Sequence, residues 1–363
     1  MKKSNVFEIL KKLRMDKRPR QIIAGFDGFI DEVIHVVAIR NDKNNYQRMA
    51  KIKDFADKIA EASELSTNIE LVPQMIKIGG NGVIMAEALI SAGMEVNYFG
   101  ALGNPDIDPL FLDFAQNCKS VVSVSQPGHT DALEFEDGKL MLGKLSQLKD
   151  ISWENIINYF TVDDLIDLVA EIDLIAFTNW TMLPEMNDIM KGFYKLLRGL
   201  PRKPYVYIDL ADPAKRSIED IREVLSLISN LAMETNAVLG MNEKESKLIA
   251  ECLSIDETDI TSRASELRTH LDLYAAVIHP VKGAAASSKN ETYWIDGPYT
   301  PTPVLTTGAG DNFNAGFCLG LLLDLSLKEA LYTGVYTSGF YVRNAKSPDR
   351  NELCEFISNY NSG

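Results

Sequence analysis

Short apolar runs alternate with segments of helical period along most of this 363-residue chain. That alternation restricts the fold more than any other feature. Residues 21–25, 96–99, 174–177, 205–209, 237–240 and 274–279 read as buried strands. Between them, Ile52, Phe55, Ala56, Ile59 and Ala60 recur at helical spacing within 49–62. A small-residue helix over 83–92 closes at Gly93, and further helices read over 184–197 and 218–227. Strands apolar on both faces and joined through helices pair in parallel, with helices on both sides. The expectation is an α/β fold with a mainly parallel central sheet.

Two regions depart from this rhythm. Residues 4–15 carry Val6, Ile9, Leu10 and Leu13 on one helical face, giving an N-terminal helical extension over 1–20 for packing or an interface. Within 120–146, Pro127-Gly128 breaks a Val-rich run and Glu136-Asp137-Gly138-Lys139 reads as a hairpin turn, so a small antiparallel flap is expected. The remaining chain, 21–363, reads as one domain.

The net charge of −14 bears on ligands. It argues against nucleic acid or an anionic membrane as partner, so an anionic ligand must be received by local N–H groups, a few cations or a metal. Cys118, Cys252, Cys318 and Cys354 show no CxxC pairing, and His35, His129, His270 and His279 no metal-binding spacing. No signal-peptide core and no 18-residue apolar run is visible, so a cytoplasmic location is expected.

Several polar features fall where ligands bind in open α/β sheets, beyond the carboxyl ends of strands. Asp27 and Asp31 follow the first strand, and Gly79-Gly80-Asn81 opens a helix. Asn242-x-x-Glu245 follows a strand; an amide and a carboxylate there can hold Mg²⁺, directly or through waters. Lys282-Gly283 offers a cation and close backbone approach. Gly308-Ala309-Gly310 precedes Asp311 and a long apolar segment. Free N–H groups at such a helix start attract an anion, whereas Asp311 is repelled by it and suits a base acting on an attacking hydroxyl. Each feature also has a plain reading as a turn, an N-cap or a solvated helix start.

Taken together, these residues resemble the ribokinase-like (PfkB-type) carbohydrate kinases. The likeness rests on Gly308-Ala309-Gly310-Asp311 with Asn314-Ala315-Gly316-Phe317, on Gly79-Gly80-Asn81 with Ala86, on Gly100-x-x-Gly103 and on Asn242-x-x-Glu245, in family order over roughly 20–350. The resemblance implies a three-layer α/β/α ribokinase-like fold with a small β lid, its segments within 33–75 and 120–146. It implies a sugar kinase using ATP and Mg²⁺, with Asp311 as base and Gly308, Ala309 and Gly310 as anion hole. Asp31, with Asp27 as second choice, and Gly79, Gly80 and Asn81 would bind the sugar. Thr306, Thr307, Lys282, Gly283 and Asn344 would line the nucleotide, and Asn242 and Glu245 would organise Mg²⁺.

Three departures from the family pattern stand out. Leu305 occupies a position where the family commonly has Asp, which leaves dependence on a monovalent cation open. Pro280 replaces a common glycine in the nucleotide turn, fixing φ and removing an N–H. Residues 41–72 carry a helix where many members have lid strands, so the lid is expected to rely on 121–145, and the geometry of a homodimer is left open. An ADP-dependent sugar kinase and a non-catalytic sugar or nucleotide sensor on the same fold are the alternatives.

Overall fold

A computed structural model describes residues 3–360. Residues 1–2 and 361–363, at the outer ends of the expected extension and of the domain 21–363, lie outside the described residues. In chain order the strands are β1 Gln21–Gly25, β2 Phe29–Arg40, β3 Tyr46–Arg48, β4 Leu71–Gly79, β5 Glu95–Gly100, β6 Ser120–Ser123 and β7 Gly128–Phe135. They continue with β8 Gly138–Lys144, β9 Leu174–Phe177, β10 Tyr205–Asp209, β11 Asn236–Met241, β12 Ala275–Ile278, β13 Gly283–Ser288 and β14 Thr292–Asp296.

Nine strands form the main sheet, in the order β14-β13-β12-β11-β10-β9-β1-β5-β6. Neighbours from β6 to β12 are parallel, and at one edge β13 alone is reversed, so its pairings with β12 and β14 are antiparallel. Side chains alternate across the central strands, so the two faces feed separate apolar clusters. Ile23, Ile175, Val206 and Ile208 join one cluster with helices Met186–Leu197 and Ile218–Glu234. Ile22, Leu174, Tyr207 and Val238 join the other with helices Asn81–Ser91 and Ala309–Leu322. Each fully buried Ile or Leu contributes about 1.5–3 kcal/mol by leaving water. The result is the three-layer arrangement expected from the strand–helix alternation. Helix Ile218–Glu234 outruns its expected end at 227 because Ile228 and Leu231 continue the buried stripe of Ile221, Val224 and Leu225.

The N-terminal helix Lys3–Met15 buries Ile9 and Leu13 in the same cluster as Leu353 and Ile357 of helix Arg350–Tyr360. It packs on the domain it precedes.

A second sheet of five strands forms the lid, ordered β3-β2-β7-β8 with β4 also on β2. It corrects the expected lid in three respects. β2 starts at Phe29 and pairs with β4 back to Gly79, so the first segment extends beyond both ends of 33–75. β6 lies in the main sheet beside β5, and β2 pairs with β7 in parallel, so 120–146 is not a free-standing antiparallel flap. Helix Ile52–Ala60 does not replace lid strands. Its Ile52 and Phe55 pack against the lid's small core of Ile34, Val36, Met49, Leu133 and Phe135. A one-sided sheet needs such a cover to stand away from the main core.

Candidate active site

The turn before helix Ala309–Leu322 is built for close approach. Gly308 has φ of 89°, and a Cβ there would lie 2.8 Å from Tyr341 Oη and 3.1 Å from Ile84 Cγ2. Both the backbone and the space demand glycine. Tyr341 Oη donates to the Thr307 carbonyl at 2.8 Å, and Ser338 Oγ donates to the Ala309 carbonyl at 2.9 Å, which holds the turn. First-turn N–H groups and the positive end of a helix are chemically suited to receive an anion.

Asp311 is the third residue of that helix and is 5 % exposed. Its Oδ1 accepts from Asn81 Nδ2 at 2.9 Å. Burial pushes its carboxyl well above the ordinary range; the charges of Asp209 and Asp27 add to this, and the Asn81 bond opposes it. A carboxylate raised in this way is a stronger base than a solvated one.

Asn81 begins helix Asn81–Ser91, and what fixes that helix start is Asp27. Asp27 is wholly buried. Its Oδ2 accepts from Asn81 N at 2.9 Å and Asn179 Nδ2 at 2.6 Å, and its Oδ1 accepts from Gly82 N at 3.0 Å. These bonds turn both carboxylate oxygens of Asp27, the second choice as sugar ligand, toward protein donors. Gly80, at φ of 110°, leaves room for it, because a Cβ there would meet Asp27 Oδ1 at 2.6 Å. Asp31 is placed differently. It lies in β2, opposite Lys77 of β4, with Gly79 so near that a Cβ would fall 2.5 Å from Asp31 Oδ2. Asp31, Lys77 and Gly79 line one cavity, and burial raises the Asp31 carboxyl above its usual value.

Asn242 and Glu245 form a capping box at helix Glu243–Cys252. Asn242 Oδ1 accepts from Glu245 N at 2.9 Å, while Glu245 accepts from Asn242 N and Asp212 N, each at 2.8 Å. Nearby, at the end of β10, stands a carboxylate that sequence reasoning missed as a site residue. Asp209 accepts from Ala211 N at 2.9 Å and Asn314 Nδ2 at 2.7 Å. Burial, followed by the negative charge of Glu245, pushes it up to about 7. Its place at the carboxyl end of a central parallel strand was the available signal.

Two cavities meet at the 305–310 turn. Thr306, Ala309, Gly310, Asn242, Gly283 and His279 help to line one, and Thr307, Leu305, Asp31, Gly79, Glu87 and Tyr341 help to line the other. Of the expected nucleotide residues, Thr306 and Gly283 therefore fall on the first wall and Thr307 on the second. Lys282 is not on the first wall but places its Nζ 5.8 Å from the ring centre of Tyr299, which is. Asn344 joins neither wall, and its Nδ2 donates to the Phe340 carbonyl of its own helix. His279 sits 4.7 Å from Phe313, ring to ring, and burial lowers it to about 4, so it is a neutral group beside the anion turn.

A family model described as prokaryotic ketohexokinase matches residues 3–360. The chain belongs to the prokaryotic ketohexokinase family. A curated ketohexokinase from Haloferax volcanii is 29% identical over 344 residues, covering 94% of this chain and 91% of that protein. Solved structures share the fold at low identity. A ribokinase from Thermotoga maritima has a TM-score of 0.61 at 17% identity, covering 94% of this chain and 99% of its own. A ribokinase from Arabidopsis thaliana, complexed with ribose and ATP, has a TM-score of 0.63 at 16% identity, covering 93% of this chain and 98% of its own. The fold is ribokinase-like, and the family makes this chain a carbohydrate kinase, a phosphotransferase with an alcohol group as acceptor. No helix among the described residues is long and apolar enough to cross a membrane.

Proposed function

We propose that this kinase transfers the γ-phosphoryl group of ATP to a primary hydroxyl of a ketohexose. One observation carries the assignment of roles: Asp311 lies directly beyond the turn at which the two cavities meet, with Oδ1 held by Asn81. In this reading the cavity with Gly283 and Asn242 takes the nucleotide and the cavity with Asp31 and Gly79 takes the sugar. Asp31 accepts from sugar hydroxyls, Asp311 takes the proton from the attacking hydroxyl, and the N–H groups of 308–310 receive the charge of the transferring phosphoryl group.

Mg²⁺ fits the residues present. Asp209 and Glu245 are a close pair of buried acids whose mutual repulsion a cation relieves. Both Glu245 oxygens are already held by backbone N–H groups, and no cluster of three acidic, His or Cys ligands stands among the described residues. Asn242 and Glu245 would therefore hold the ion through water, as Mg²⁺ readily allows. Bound there, the ion neutralises charge on the phosphate oxygens.

The test is ADP release from Mg·ATP with ketohexoses, aldohexoses, pentoses and nucleosides as acceptors, repeated with ADP as donor. Turnover with a ketohexose above the other acceptors supports the reading. Turnover with ADP alone makes the protein an ADP-dependent kinase, and tight sugar binding without turnover makes it a sensor.

A further inference from the structure

We propose that Asp27 is a positioning residue for phosphoryl transfer, acting through the start of helix Asn81–Ser91 on the carboxylate of Asp311. The inference rests on the reading of Asp311 as base.

A helix start leaves N–H groups without intrahelical partners. Here the N-cap is Gly80, which has no side chain to meet them. Asp27, from a separate segment after β1, supplies the missing acceptor to the N–H groups of both Asn81 and Gly82. Asn179 Nδ2 at 2.6 Å and the Tyr98 hydroxyl, which donates to the Asp27 carbonyl at 2.9 Å, clamp Asp27 from the sheet side. Only then does the Asn81 side chain leave the helix start to reach Asp311 Oδ1. The backbone and the side chain of one residue therefore carry two bonds, one to a buried anchor and one to the base. A shift of the anchor is transmitted to the base across a single residue. Both carboxylate oxygens of Asp27 are taken by protein donors, so its effect on turnover runs through those bonds.

Asp27→Asn keeps the shape but turns an amide N–H toward donors. We expect kcat to fall about 10- to 100-fold, the loss typical of an ångström-scale misplacement, with KM for Mg·ATP unchanged within about twofold. Asn81→Ala should lower kcat similarly. The decisive readout is the double variant, which should be no slower than the slower single one, because both act on one bond. Effects that multiply independently, or wild-type kcat in folded Asp27→Asn, overturn the proposal. Should that variant not fold, Asn179→Ala removes the 2.6 Å donor and is carried through the same cycle with Asn81→Ala. Asp311→Asn separates the two readings. Retained turnover there removes the base, whereas lost turnover there with intact turnover in Asp27→Asn removes only the positioning role.

Discussion

Asn81 Nδ2 donates to Asp311 Oδ1 at 2.9 Å, joining the first residue of one helix to the third residue of another across 230 positions of sequence. Both residues sit where a helix start meets a glycine turn. The bond ties the turn at 308–310 to the Gly79-Gly80 turn as one mechanical unit.

Asp311→Asn should abolish most activity without harming the fold. Loss of a general base costs at least ~100-fold in kcat. The buried carboxylate is costly when charged, as its raised pKa shows, so the neutral amide should leave thermal stability equal or higher near neutral pH. Steady-state kinetics and a melting curve on the same preparation check both halves. Wild-type turnover would remove Asp311 from the chemistry.

Gly308→Ala and Gly310→Ala should separate strain from simple contact. At 308 the added carbon meets Tyr341 Oη at 2.8 Å with φ of 89°, so the turn must distort. A loss of about 1 kcal/mol or more in stability, with a marked loss of kcat, is expected there. At 310 the added carbon finds only His279 Cε1 at 3.4 Å, within a helix, so the fold should tolerate it. Urea unfolding and kcat on both variants give the comparison, and equal stability loss at the two positions would contradict this account.

Glu245→Gln should act on the metal more than on the helix. Glutamine retains one acceptor for the two N–H groups now bound, so a cap loss of about 1 kcal/mol is expected. Removing the charge next to Asp209 should raise the Mg²⁺ concentration needed for half-maximal rate several-fold. Titration of Mg²⁺ at fixed ATP measures it; an unchanged half-saturation point would take Glu245 out of the metal site.

The main sheet was legible because its strands are apolar on both faces and its helices carry clear stripes. The lid was less so. β4 is mostly exposed, with Met75 and Ile76 on the surface, and its pairing with β2 follows from distant register rather than local pattern. At the candidate site, the glycine turn at 308 and the Asn242-x-x-Glu245 helix start were readable as local structure, because a positive φ and a capping box have local sequence signals. The bonding of Asp27 to the start of helix Asn81–Ser91 was not, since an aspartate near a strand end looks the same whether it faces a ligand or a helix start. Asp209 was hidden for a related reason. It reads as the last residue of a strand, and only Asn314, 105 positions away, and Glu245 reveal it.

Stability should carry the signature of these buried acids in its pH dependence. Asp209 is pushed up to about 7 and Asp27 to about 6, each chiefly by burial, from a value of 3.8. A carboxyl with a raised folded pKa holds its proton more tightly in the native state. Between about pH 4 and pH 7 the folded chain therefore binds more protons than the unfolded one, and stability falls as pH rises through that window. His279 works against this. Its folded value is lowered from 6.5 to about 4, so stability falls as pH drops through that range. The two slopes overlap in the wild type, and the difference between wild type and Asp209→Asn isolates one of them. That variant loses an acceptor for Asn314 or Ala211, a penalty independent of pH. On top of that offset, its melting temperature relative to wild type should climb from about pH 4 to about pH 7 and then level off. Mg²⁺ with nucleotide should reduce the climb by compensating the Asp209 and Glu245 charges. Parallel curves across the range would show that Asp209 is not ionising in the folded protein as its burial requires.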